Sequence, residues 1–115
     1  MYEVFFYEDE KGNCQVDDFL ENLQLKERAK LEKWIEKLEQ EGPNLPRPFA
    51  DIVKGKIREL RIRFGSNSYR FLYFFNGKNI IITHGFIKKT DKIPHNEIKR
   101  AERSMKDFIK KNEKR

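Results

Sequence analysis

The sequence predicts an α+β domain, a small antiparallel sheet with an N-terminal helical hairpin on one face and a C-terminal helix, in the order β-α-α-β-β-β-α. Three observations carry this. Apolar residues recur at helical spacing from Val16 to Leu38, with a break near Leu23-Gln24. The stretch KGKIRELRIRFGSNSYRFLYFFNGKNIIITHGFIKKTDKIP, Lys54 to Pro94, reads as three short strands joined by tight turns. Beyond Pro94, a residue suited to a first helical turn, Ile98, Ala101, Met105, Phe108 and Ile109 form one apolar stripe. Consecutive hairpin-joined strands give an antiparallel sheet, and a sheet with one apolar face buries it against helices.

Taken in order, Tyr2–Tyr7 (YEVFFY) is aromatic and short, as a strand requires, and Gly12-Asn13 belongs to the turn after it. Val16, Phe19, Leu20 and Leu23 give a short helix. Leu25, Ala29, Leu31, Trp34, Ile35 and Leu38 give a longer one, closed at Gly42-Pro43, with Trp34 and the Leu/Ile stripe as core. The proline-rich PNLPRPFADI reads as an extended connector. Leu60, Ile62 and Phe64 then alternate with Glu59, Arg61 and Arg63. Tyr69–Phe75 is apolar on both faces except at Arg70, which suits a central strand. Asn76-Gly77 is a hairpin turn, and Asn79–Ile87 makes the last strand, with His84 in phase with Ile80, Ile82 and Phe86. The final KKNEKR is expected to fray.

At 115 residues the chain reads as one domain, residues 1–115, with 37% hydrophobic and 38% charged residues. Ten phenylalanines exclude a disordered chain, and no apolar run approaches the roughly 18 residues of a membrane span. The N-terminus lacks a signal-peptide pattern, so a cytoplasmic protein with no membrane partner is expected. The single Cys14 can form no internal disulfide and anchor no metal site by itself. Charge is segregated. Residues 1–45 carry 6 Lys/Arg against 12 Asp/Glu, whereas residues 46–115 carry 19 against 7. A half that basic points to a nucleic acid or an acidic partner and says nothing by itself of catalysis.

Three segments carry a family likeness: FYEDEKGNCQVDDFLENL, EGPNLPRPFADIVKGKIRELRI and YRFLYFFNGKNIIITHGFIKKTDKIPHNEIKRAERSMKDF. With this element order, the chain resembles the RelE/ParE superfamily of toxins from type II toxin–antitoxin modules, and within it the phage-derived HigB-type branch. HGFIKKTDKIPHNEIKRA is the most specific piece, combining strand end, basic turn and helix start. The resemblance implies a metal-independent endoribonuclease, an mRNA interferase that needs no cofactor, cuts mRNA on the ribosome and so inhibits translation. It also implies a cognate antitoxin, commonly a HigA-like helix-turn-helix protein, that joins the toxin in a complex on operator DNA.

Cleavage of this kind uses the 2′-hydroxyl as nucleophile, so a protein must move two protons and stabilise added negative charge. Arg61 and Arg70 match the family's strand arginines and are the expected phosphate stabilisers; the alternative for Arg70 is a structural ion pair with an acid such as Glu59. Lys88 and Lys89 match the basic strand end, as proton donor or phosphate clamp, against a merely solvated pair. Lys54, Lys56, Arg63 and Lys92 are expected RNA contacts, the first two set against an ordinary turn around Gly55. His84 is the remaining catalytic candidate, as acid or base, with a hydrogen-bonded structural histidine the commoner alternative. Phe86 and Tyr73 could stack on a base, although core packing explains them better. No tyrosine follows Tyr73, whereas some RelE-like ribonucleases use one near the C-terminus as a base. Two rival readings share the fold: a ParE-like gyrase poison, and a noncatalytic module that binds RNA or only its antitoxin.

Overall fold

The computed structural model describes residues 1–113. The strands are β1 (Glu3–Phe6), β2 (Ala50–Lys54), β3 (Ile57–Phe64), β4 (Asn67–Asn76) and β5 (Asn79–Lys88). The helices are α1 (Gln15–Glu21), α2 (Leu25–Glu41) and α3 (His95–Glu113). The strands form one sheet in the order β1-β5-β4-β3-β2. β2 to β5 are antiparallel to their neighbours, and β1 joins the far edge parallel to β5. This is the expected α+β architecture with one strand more than the sequence suggested.

The extra strand is β2, inside the stretch read as a connector. Its three preceding prolines obscure it, because proline cannot donate to a ladder. They end at Pro48, however, and Ala50, Asp51 and Ile52 pair with Leu60, Glu59 and Arg58. β2 is an edge strand, which explains why Ile52 stays exposed.

α1 and α2 cover one face of the sheet. Val16, Leu20, Leu31 and Leu38 pack there on Leu60, Phe71 and Ile80. Leu25 and Ala29, included in the apolar stripe of α2 from spacing, are exposed, and Trp34 is half-buried at the rim of this core. The start of α2 is fixed by Glu27, which accepts from the Gln24 N–H at 3.2 Å and from the Tyr69 hydroxyl. Its end is fixed by Gly42, at φ +56°, where a Cβ would lie 2.7 Å from the Tyr2 ring.

The opposite face carries a smaller core, in which Ala101, Met105 and Phe108 of α3 pack on Leu72, Phe74 and Ile81. A register shift between β4 and β5 decides what lies there. Tyr73 pairs with Ile82 but Leu72 pairs with His84, leaving Thr83 as the extra residue of a bulge. The bulge reverses the facing of every later residue of β5. His84 and Phe86 therefore lie on the α3 side, not in phase with Ile80 and Ile82 as alternation predicted. β1 ends its pairing at Ile82, and the Gln15 side chain takes over the edge, donating to the Gly85 carbonyl at 2.7 Å and accepting its N–H at 2.8 Å. α3 runs unbroken through Glu113, so Lys110–Glu113 are helical; the rest of the expected frayed end, Lys114 and Arg115, lies outside the described residues.

Candidate functional site

α3 covers only part of its face. At the end of the sheet where β3 and β5 finish and β4 begins, the same face carries Glu59, Arg61 and Arg63 of β3, Ser68 and Arg70 of β4, and Phe86 and Lys88 of β5. The ladder sets this grouping: Arg61 lies opposite Arg70, Arg63 opposite Ser68, and Ser68 opposite Lys88.

Two arginines directly opposite each other repel, and Glu59 resolves the conflict. Its Oε1 accepts from Arg70 Nε at 2.9 Å and its Oε2 from Arg61 Nη2 at 2.9 Å. Glu59 and Arg70 are both buried, with 5% and 8% of their surface exposed, so each charge depends on the other. Burial depresses the Arg70 pKa, and the Glu59 carboxylate opposes that shift. Arg70 also donates to the Tyr69 carbonyl at 3.1 Å. Arg61 reaches Asp51 Oδ2 at 3.4 Å, while its Nε is buried without a partner. The Asp51 carboxyl is held below the usual range by the Ile52 N–H and then by Arg47 and Arg61. Three arginines (Arg47, Arg61, Arg70) thus face two carboxylates, and the adjoining Arg63 and Lys88 leave this end of the sheet cationic.

Residues 18–106 match the family model described as phage derived protein Gp49-like (DUF891). The chain belongs to that family. No curated protein matches it. Membership is consistent with a toxin-like role of RelE type, and the matched span includes every candidate residue from Lys54 to Lys92.

The Gp49-like fold gathers some of these candidates and separates others. Arg61, Arg63, Arg70 and Lys88 share one end of one face. Lys89 and Lys92 are exposed in the segment that follows β5, next to Lys88. Lys54 and Lys56 sit at the β2–β3 turn, at the other end of β3; Arg63 lies seven positions along the strand from Lys56, roughly 23 Å. Lys54 also pairs with Glu102 of α3 at 3.4 Å. The structure therefore does not bring these two lysines to the arginine cluster.

His84 is 1% exposed beneath α3. Its Nε2 donates to Glu97 Oε1 at 2.9 Å, since a carboxylate can only accept, and Nδ1 lies 3.1 Å from the Thr83 hydroxyl, which itself donates to the Leu72 carbonyl at 3.1 Å. Burial, and then Arg100, lower its pKa against the pull of Glu97. The hydrogen-bonded structural alternative describes its surroundings, and no ring nitrogen is left for a substrate. Tyr73 is buried too, its phenol pushed up to about 12 by burial, which leaves it no stacking surface.

Sequence reasoning did not single out Trp34, Phe49 or Asp51. Trp34 and Phe49 stack at 4.9 Å and 28° beside Arg61 and Arg63. Phe49 lay within the supposed connector, and Trp34 satisfied a helical stripe, so neither signal separated a site from a core.

Proposed function

We propose that this protein is the toxin of a type II toxin–antitoxin module, an endoribonuclease that cuts mRNA on the ribosome without a metal ion. The observation that carries the reading is the uncovered end of the sheet, where Arg61 and Arg70 oppose each other across two strands with Arg63 and Lys88 at the rim. Guanidiniums fixed before the reaction cost no reorganisation as charge builds on the phosphate.

In the reaction the substrate 2′-oxygen gives its proton to solvent water and bonds to phosphorus, while the bond from phosphorus to the 5′-oxygen breaks and that oxygen takes up a proton. Arg61, lying at the surface end of the Glu59 network, and Arg63 suit the equatorial oxygens. Arg70, fixed by Glu59, holds Arg61 in place and lends charge. Lys88 and Lys89 are the side chains at this end suited to protonate the leaving oxygen; His84 is assigned no proton transfer. The antitoxin, a helix-turn-helix protein of HigA type, would neutralise the basic half with acidic residues and carry the complex to operator DNA.

One observation favours a binding-only reading. The arginines nearest the centre already have carboxylate partners, which suits holding a backbone as well as cleaving it. Mapping mRNA 5′ ends after brief induction of wild type, Arg63→Ala and Lys88→Ala separates the two, because both substitutions spare the buried Glu59–Arg70 pair. New ends in translated frames that fade in the variants support cleavage. Growth arrest without new ends overturns it.

A further inference from the structure

β2 pairs with β3 only as far as Ala50 and Leu60, and the Phe49 carbonyl accepts the Arg61 N–H at 2.8 Å. Beyond that point, among the described residues, no strand pairs with Ile62–Phe64 on the side of β3 away from β4. A cleft of about 340 Å³ opens along this edge. Its apolar wall is the Trp34–Phe49 stack, and its polar wall is Arg61, Arg63, Ser68 and Arg70, with Lys30 of α2 beside Trp34. The volume is at the small end of the range for ligand sites, about 300–1,000 Å³. Phe49 keeps 39% of its surface exposed although it is stacked, so an aromatic surface remains available to an incoming ring. The Arg61 Nε, buried without a partner, adds an unsatisfied donor to the same corner.

We propose that this cleft is a nucleotide subsite for single-stranded RNA. An unstacked base lies against the Trp34–Phe49 shelf, and Lys30, Arg61 and Arg63 take the adjoining phosphate. Aromatic surfaces beside a cationic groove are how proteins hold single strands without reading their sequence. The cleft of about 550 Å³ between β1 and α2 is ringed by Glu8, Asp17, Glu32, Glu36 and Glu39, which repel phosphate, and in that of about 540 Å³ beside α3 the two arginines, Arg100 and Arg103, are offset by Asp9, Asp18 and Asp107. The inference rests on the ribonuclease reading and deepens it, because it fixes where the strand continues as it leaves the arginine cluster.

Trp34 is the only tryptophan, so its fluorescence reports directly on the shelf. The full-length protein is titrated with a 2′-O-methylated RNA hexamer, which cannot be cut, and binding is followed in parallel by filter retention. The expected result is saturable Trp34 quenching that tracks retention, with Phe49→Leu weakening both about tenfold and Phe49→Tyr close to wild type. Retention with no quenching and no effect of Phe49→Leu overturns the subsite and leaves the ribonuclease reading standing. Equal quenching by inorganic polyphosphate overturns the base contact, and equal affinity for uridine monophosphate replaces the strand with a free nucleotide. If the hexamer is not retained at all, the subsite is overturned, and ribosome-bound cleavage is judged separately by the 5′-end mapping.

Discussion

Replacing Glu59 with glutamine tests what holds the arginine cluster together. The side chain keeps its shape and one carbonyl oxygen, so Arg70 Nε can retain a hydrogen bond. The amide nitrogen now meets the Arg61 guanidinium, donor against donor, and Arg61 and Arg70 face each other across the ladder with only Asp51, 3.4 Å from Arg61, to compensate them. Removing one partner of a buried ion pair costs about 3–5 kcal/mol, and the retained hydrogen bond reduces this to about 2–4 kcal/mol. Unfolding entropy near 2.1 cal/mol/K per residue gives about 0.24 kcal/mol/K for 115 residues, so about 3 kcal/mol lowers Tm by about 12 °C. Thermal unfolding followed by circular dichroism reads this directly. Arg70→Met in the Glu59→Gln background should recover much of the loss, because the charge left unpaired has gone; Arg70→Met alone leaves Glu59 paired with Arg61 and should cost less than Glu59→Gln. A Tm drop under about 3 °C for Glu59→Gln, or strictly additive effects in the double variant, would show that the pair is not what holds the cluster and would refute the reasoning.

Other outcomes follow from the same structure. Gly85→Ala should cost about 1–3 kcal/mol in chemical denaturation, because its Cβ would lie 2.6 Å from the Phe71 ring and 3.0 Å from Phe19. Gln15→Ala leaves the Gly85 N–H and carbonyl without side-chain partners and should cost a similar amount, about 1–3 kcal/mol, with faster hydrogen exchange at Gly85. Since burial and Arg100 lower the folded-state pKa of His84, its contribution to stability is complete above the unfolded value near 6.5. As pH falls below that value the unfolded chain takes the proton first, and stability declines until the folded pKa is reached. Denaturant midpoints measured down this window should lose that decline in His84→Gln, and an unchanged slope would exclude His84 as its source. Arg63→Ala should weaken RNA binding alike for all sequences and reduce the slope of log K against log salt by about 0.7 for a single-stranded ligand.

How far the sequence could be read varied with the physics involved. Helix α3 and the central strand β4 follow from local rules and lie where the pattern placed them, and the hairpin after β4 turns at Gly77-Lys78, one residue beyond the expected Asn76-Gly77, because Asn76 still pairs with Asn79. The parallel placement of β1 has no local signature, because it depends on a partner about 75 residues away. The bulge at Thr83 is another non-local matter. Strict alternation assigned His84 to the wrong face, and only the pairing of Leu72 and Tyr73 reveals the shift. The arginines of the candidate site were legible as charges in apolar strands, and the possibility that Arg70 pairs with Glu59 was visible too. That Glu59 divides its two oxygens between Arg70 and Arg61 was not, since it requires the β3–β4 register.

The position of Glu59 makes the arginine cluster a matter of both folding and function. A cationic surface built from exposed lysines alone would be loosely placed, since each lysine gives up considerable side-chain entropy when it is ordered. Here a buried carboxylate fixes one guanidinium inside the sheet and through itself orients the second, which reaches the edge of the cleft. The cost of that arrangement is a partly neutralised centre, so the net positive charge lies at the rim with Arg63, Lys88, Lys89 and Lys92. A polyanion would therefore meet mobile charges first and fixed ones last. The gradient predicts a division of labour: rim substitutions should act on association rate and its salt dependence, whereas changes at Arg61 should act on the step after the strand is seated.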